Sequence, residues 1–189
     1  MKILVLGPLR NEMIEFLNTF NDTVIYQEEK INDDLIIKEN LDFIISYGYR
    51  FILSKRIVNY YLNKIINLHI SYLPWNRGAD PNPWSFLEDT PKGVTIHYID
   101  EGLDTGDIIA QKNIEFLGNE TLSTSYLKLT LEIESLFKYI WPSIRLRQNN
   151  RITQNDNGSY HHSKEKDKYM HLLVNGWETC IKDIVGAAK

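Results

Sequence analysis

The sequence predicts an α/β domain with a largely parallel sheet flanked by helices, closed by a short C-terminal appendage. Two observations predict it. Short apolar runs alternate with amphipathic stretches, the pattern of strands linked by helical crossovers. The first of these runs is ended by a sharp turn signal, Gly7-Pro8, as a buried strand would be.

The elements follow in order. Residues 2–6 read as the first strand. Residues 12–20 carry Met13, Ile14, Phe16 and Leu17 at helical spacing. Val24-Ile25-Tyr26 reads as a second strand. Asn32-Asp33-Asp34 supplies an N-cap and an acidic first turn for a short helix through Lys38. Residues 42–46 read as a third strand, 52–61 as a helix and 65–70 as the fourth strand. The stretch 71–91 is rich in loop residues, with prolines at 74, 81, 83 and 91 and a short helix around Trp84 to Glu88. A loop of that length inside a domain is more often functional than ornamental. Residues 93–99 alternate as a strand, with Val94, Ile96 and Tyr98 on one side and Thr95, His97 and Ile99 on the other. Residues 108–112 form a strand able to pair with it around Asp104.

The clearest helix spans 121–147, where Leu122, Tyr126, Leu129, Ile133, Leu136, Ile140 and Ile144 recur every three or four residues. Pro142 is expected to kink it. The stripe reads as core or as the face of a homodimer. Residues 148–168 read as a polar tail that wraps back, with a turn at Asn157-Gly158, and 169–184 as helical. The domain reading is a core over 1–150 with a tail over 151–189 packed on it.

Composition narrows the function. The chain is 43% hydrophobic and 24% charged, as ordinary globular proteins are. A formal net charge of −4 gives no basic field for nucleic acid. Cys180 is the lone cysteine, so neither an internal disulfide nor a cysteine-rich zinc site can form. His161-His162 with His171 fits no common ligand spacing, and no metal is expected. No apolar stretch approaches the roughly 18 residues of a membrane helix. The N-terminus lacks the long apolar region of a signal peptide, so a cytoplasmic, reduced setting is expected.

Chemistry concentrates in Asn67-Leu68-His69 and in Asp104, the latter in a loop punctuated by Gly102 and Gly106. Period-two spacing sends Asn67 and His69 to one face of the fourth strand, with Leu68 pointing the other way beside Ile66 and Ile70. They lie at the carboxyl end of that strand, where α/β sheets gather ligands. A neutral amide, an imidazole and a carboxylate are parts for acid–base chemistry on a polarised carbonyl. No Gly-x-Ser-x-Gly elbow or activated cysteine offers a nucleophile instead.

The segments NLHISYLPWNRGADP (67–81) and GVTIHYIDEGLDTGDIIAQ (93–111) resemble the folate-dependent formyltransferases, which include glycinamide ribonucleotide, methionyl-tRNA and nucleotide-sugar formyltransferases. The family hallmark is an Asn-x-His strand end, a Ser-x-Leu-Pro loop and a later Asp in an LDTGD-like loop. The resemblance covers roughly residues 40–115 and extends more weakly to residue 1. It implies a Rossmann-like fold and N10-formyltetrahydrofolate as donor, with no metal. Asn67 would then hydrogen-bond the formyl oxygen as charge develops on it. His69 would assist the proton transfers or stabilise that charge, and Asp104 would hold His69 or a water. The loop Ser46-Tyr47-Gly48-Tyr49, with Arg50, looks like the donor loop of sugar formyltransferases, and backbone groups there and around Asp104 would bind the folate.

Three branches of the family remain to be separated. Gly7-Pro8-Leu9-Arg10 lacks the Gly/Ser-rich cradle expected for glycinamide ribonucleotide. An acidic chain suits a transfer-RNA acceptor poorly. The expected acceptor is therefore a UDP- or dTDP-linked amino sugar, with glycinamide ribonucleotide as the alternative and a non-catalytic folate- or nucleotide-binding module as the second. Arg10 and Arg77 are candidates to meet the diphosphate, although a solvated charge is the more usual reading for Arg10 and Arg77 reads equally as a loop contact. Trp84, in the unusual Asp80-Pro81-Asn82-Pro83-Trp84, is a candidate for the acceptor pocket and also reads as a core anchor. His97 reads as packing, and Lys164 to Lys168 as a solvated mixed-charge run.

Overall fold

The computed structural model describes residues 1–155 and 157–188. Eight strands and six helices run in the order β1 (Lys2–Leu6), α1 (Asn11–Asn18), β2 (Thr23–Gln27), α2 (Asp33–Lys38), β3 (Phe43–Ser46), α3 (Lys55–Tyr60), β4 (Ile65–His69), β5 (Arg77–Gly78), α4 (Pro81–Leu87), β6 (Gly93–Tyr98), β7 (Ile108–Asn113), α5 (Leu122–Arg145), β8 (Tyr160–His161) and α6 (Asp167–Met170) among the described residues. The main sheet has the order β2-β1-β3-β4-β6-β7. Its first four strands are parallel, while β6 and β7 run antiparallel. The fold is thus α/β, with a largely parallel sheet flanked by helices.

Strand alternation sorts the core into two layers. On one face Ile3, Val5, Phe43, Ile45, Ile66, Leu68, Val94 and Ile96 pack with Met13 and Leu17 of α1 and Leu129, Ile133, Phe137 and Trp141 of α5. On the other, Leu4, Leu6, Ile44 and Ile65 meet Ile36 of α2 and Ile57 and Tyr61 of the α3 region. Each such side chain contributes about 1.5–3 kcal/mol on leaving water, and together they hold the strand ends that carry the polar groups.

Several local features match their sequence signals. Asn32 caps α2 by accepting from Leu35 N at 3.2 Å. Thr121 and Thr124 form a reciprocal cap on α5. The helix expected over 52–61 starts later, because Ser54 is its N-cap and accepts from Ile57 N at 3.2 Å. Pro142 does not end α5, which continues to Arg145 with Trp141 and Ile144 buried on either side. The segment 169–184 is not a helix. Only α6 and 3₁₀ turns at Gly176–Glu178 and Ile181–Asp183 form there. Gly176, at φ +56°, breaks the run, and Tyr169, Leu173, Ile181 and Ile184 are buried against Trp84, Phe86, Leu87 and Leu122 through turns instead.

The polar segment after α5 returns across the sheet. Ile152 bridges to Ile108 through two backbone bonds of 2.8 and 2.9 Å. Strand β8 then pairs in parallel with β5. Among the described residues no helix is long and apolar enough to cross a membrane.

Candidate active site

The register of the sheet builds the site. Ser46 of β3 pairs with Asn67 of β4, and Asn67 pairs with His97 of β6. Residues side by side in a sheet row project to the same face, so these three polar side chains emerge together at the carboxyl ends of β3 and β4. His69 follows two residues on, opposite Thr95. Leu68 and Ile66 point into the opposite core layer.

Asp104 reaches this row from the β6–β7 connection, in the left-handed backbone region at φ +53°. Its Oδ1 accepts from Asn67 Nδ2 at 3.2 Å, and its Oδ2 accepts from Gly78 N at 2.8 Å. His97 Nε2 lies 3.4 Å from Oδ1 and His69 Nδ1 lies 3.9 Å from Oδ2. The structure therefore brings Asn67, His69 and Asp104 together and adds His97, which the sequence reading assigned to packing. The available signal was its position on the Thr95–Ile99 face of an alternating strand. What was not legible was the antiparallel register that sets it beside Asn67.

The hydrogen bonds assign the imidazole protons. A carbonyl can only accept, so His69 carries its proton on Nε2, which donates to Asn76 O at 3.1 Å. The lone pair of neutral His69 is thus on Nδ1, facing Asp104. By the same logic His97 Nδ1 donates to Tyr98 O at 2.8 Å. Its Nε2 can then accept from Asn67 Nδ2 at 3.3 Å.

Burial holds His69 below its ordinary imidazole value, and His97 pushes the same way, against the attraction of the Asp104 carboxylate. Burial alone would raise Asp104, but His69, His97 and the Gly78 N–H outweigh it and hold the carboxyl well below the ordinary range. The site thus pairs a neutral buried base with a permanent anion.

These groups line a cleft of about 700 Å³. Its lining includes the apolar side chains of Phe51, Leu53, Val58, Ile99 and Leu103, from the segments after β3 and β6. Arg10, Tyr126, Gly78 to Pro81 and the segment 160–163 also line it. Ile52 is an apolar lining residue that is 83% exposed.

Ser46, Tyr47, Gly48 and Tyr49 all border the cleft. The two phenols are nonetheless committed elsewhere. Tyr47 donates to Glu134 Oε1 at 3.2 Å beneath the Arg10 guanidinium, whose carbon is 3.9 Å from the ring centre. Tyr49 accepts from Ile31 N and donates to Glu29 O. Gly48, at φ +70°, leaves the loop to present backbone rather than rings.

Two of the expected substrate residues do not line the cleft. The Arg77 guanidinium is turned to the returning tail, where it donates to Gln154 Oε1 and Asn155 O. Trp84 is 5% exposed and stacks on His161 at 3.9 Å with rings 4° apart, as a core anchor does. Arg10 does border the cleft, but it is paired with Glu134 at 3.1 Å. Among the described residues its buried Nε has no partner. His161 pairs with Glu88 and His162 with Tyr160, and among the described residues no group of three or more ligating side chains is set to hold a metal.

Comparison with known proteins bears on this cleft. A family model described as formyl transferase matches residues 18–137. Over its whole length the chain is similar to the formyltransferase PseJ from Anoxybacillus kamchatkensis, solved with UDP-4,6-dideoxy-4-formamido-L-AltNAc and tetrahydrofolate. Identity is 53%, coverage 100% of both chains and the TM-score 0.97. A 4-N formyltransferase from Francisella tularensis is 25% identical, with 98% of this chain and 87% of that one covered and a TM-score of 0.81. A methionyl-tRNA formyltransferase from Finegoldia magna is 36% identical over 134 residues, 68% of this chain and 43% of that protein. The chain spans less than half the length of such curated relatives.

Proposed function

The chain belongs to the formyl transferase family, and we propose that it transfers a formyl group from N10-formyltetrahydrofolate to the amino group of a nucleotide-linked amino sugar. The observation that carries this reading is the full-length 53% identity to an enzyme solved with tetrahydrofolate and a UDP-linked formamido sugar. It favours a UDP-linked sugar bearing the amine at C4.

In this reading the apolar lining from the segments after β3 and β6 takes the flat folate ring, with hydrogen bonds from the backbone of the loops around Gly48 and Asp104. The lining from Arg10, Tyr126 and the 160–163 segment takes the acceptor. The donor carries the formyl group, and the chain's own residues orient it and move protons. Asn67 directs an amide hydrogen at the formyl oxygen as charge develops there, the largest single term in most acyl transfers. Both of its hydrogens are engaged in the resting site, by Asp104 and by His97. Engaging the formyl oxygen therefore exchanges one of these two bonds for a bond to the substrate. His69 Nδ1 accepts the proton that the acceptor amine sheds on attacking the formyl carbon, and returns it to the departing folate nitrogen. Asp104 stabilises the imidazolium in between.

Residues 1–150 then act as the catalytic core and 151–189 as a segment packed on it. A cytoplasmic setting, where folate donors circulate, belongs to the same proposal. Glycinamide ribonucleotide is the poorer acceptor, because the β1–α1 loop offers one cation already paired with Glu134. A panel of UDP- and dTDP-linked amino sugars, with glycinamide ribonucleotide beside them, tests the assignment by mass spectrometry. A gain of one formyl group on a UDP-linked 4-amino sugar is expected. Formylation of glycinamide ribonucleotide alone, or of no amine, would overturn it.

A further inference from the structure

Gln154, in the polar segment after α5, uses its side-chain amide to the full. Nε2 donates to the backbone oxygens of Asp104 and Gly106, both at 2.8 Å. Oε1 accepts from Nε and Nη2 of Arg77 at 3.2 and 2.8 Å. An amide has two hydrogens and two lone pairs, and all four are spent here. One side chain therefore joins the loop that bears Asp104 to the strand that bears Gly78, and Gly78 N is itself bonded to Asp104 Oδ2.

The flanking residues make the same connection on both sides. Ile152 is bridged to Ile108, and Thr153 donates to Asp107 at 3.0 Å. Further on, Arg77 N donates to Ser159 O at 3.0 Å and Ala79 N to His161 O at 2.9 Å. Asp104 needs such support, because its left-handed backbone is disfavoured for a residue other than glycine and persists where the surroundings impose it.

We propose that Gln154, oriented by Arg77, is a positioning residue that holds the Asp104 carboxylate in register with Asn67, His69 and Gly78. It acts from a segment outside the three motifs that carry the chemistry, and it is not among the residues that line the cleft. This inference rests on the formyl-transfer reading for its kinetic consequence, but not for its structural one.

The test uses Gln154→Glu in the full-length chain. The substitution keeps size and can still accept from Arg77, but it removes both hydrogens given to the Asp104 loop. With a UDP-linked 4-amino sugar and N10-formyltetrahydrofolate, kcat is expected to fall roughly 10-fold, the scale on which small misplacements of reacting groups register. In an Asp104→Asn background the same change should cost less than about 2-fold, because residues acting through one another are not additive. Hydrogen exchange read by NMR gives a measure independent of activity. The Gly78 amide, whose partner is Asp104 Oδ2, should exchange at least about 10-fold faster in Gln154→Glu, while the Ala79 amide keeps its protection as a check that β5 and β8 still pair. An equal kcat loss in both backgrounds, or an unchanged Gly78 amide, would overturn the proposal. Because the amide readout does not require turnover, failure of this inference and failure of the formyl-transfer reading are told apart.

Discussion

Asn67 donates from Nδ2 to Asp104 Oδ1 at 3.2 Å across 37 residues of sequence. The bond joins the end of the fourth parallel strand to a left-handed residue in the loop between the antiparallel strands β6 and β7. It fixes which way the Asn67 amide faces, and it leaves Asp104 Oδ2 for Gly78 and for the His69 side of the cleft.

The pH dependence of transfer has a defined sign. His69 must be neutral to accept a proton, and burial holds it below its ordinary 6.5. The value of kcat/KM is therefore expected to stay level from neutral pH to below 6.5 and to fall only on a more acidic limb. Asp104 raises His69, so Asp104→Asn should lower the rate and also move that limb to still lower pH. A limb that moved upward in the variant would contradict the charge relation. Stability has the same direction for His69, whose folded value lies below its unfolded one. The unfolded chain then binds more protons as pH falls below 6.5, and stability declines. For Asp104, whose folded value is depressed, the contribution is present above about 3.9 and lost as pH falls through the folded value.

His97 should matter more than a packing residue does. His97→Phe preserves bulk but removes the bonds to Asn67 and Tyr98 O and the partner of Asp104. A loss of roughly 100-fold in kcat is expected, within the range for a group that sets an acid–base site. Circular dichroism and folate affinity near the wild type would locate the effect in catalysis. Unchanged turnover would return His97 to a packing role.

Gly78 is required for two reasons. Its φ is +90°, and a Cβ there would lie 2.3 Å from His161 O. Gly78→Ala is expected to cost roughly 2 kcal/mol or more in urea unfolding, from backbone strain and the displaced strand. Activity should fall with it, since the Gly78 N–H holds Asp104. An unfolding midpoint equal to that of the wild type would contradict this.

Trp141 tests the account of the core. It is fully buried between Phe43 and Phe137, and among the described residues its Nε1 has no hydrogen-bond partner. Trp141→Ala should cost about 3–5 kcal/mol through the cavity it leaves. Trp141→Phe should cost less than about 1.5 kcal/mol, because losing an unsatisfied N–H offsets part of the lost packing. A penalty for Trp141→Phe as large as that for Trp141→Ala would contradict this.

Much of this was readable from the residues themselves. Apolar strands at 2–6, 42–46 and 65–70, the Asn32 cap and the stripe on α5 are local signals, and the α/β architecture follows from their alternation. Asn67, His69 and Asp104 were legible because they lie in motifs with fixed spacing. His97 was not, because its neighbour Asn67 is set by the register of an antiparallel pair 30 residues apart, which no local pattern encodes. For Arg77 and Trp84 the residues left two readings open, and the structure takes the loop contact and the core anchor. A lone cation or ring has no periodicity to say which way it points, and here the partners are Gln154 and His161, far along the chain. The helical pattern of 169–184 failed where Gly176 made turns a cheaper way to bury the same apolar side chains.

The central claim is that the Asn67–His69–Asp104 cleft carries formyl transfer, and His69→Ala tests it most directly. Transfer from N10-formyltetrahydrofolate to a UDP-linked 4-amino sugar would be measured beside folate binding to the same protein. A loss of about 10³-fold or more in kcat is expected, the upper part of the range for general acid–base groups, with folate affinity within about 3-fold of the wild type. Turnover near the wild-type rate in that variant would contradict it.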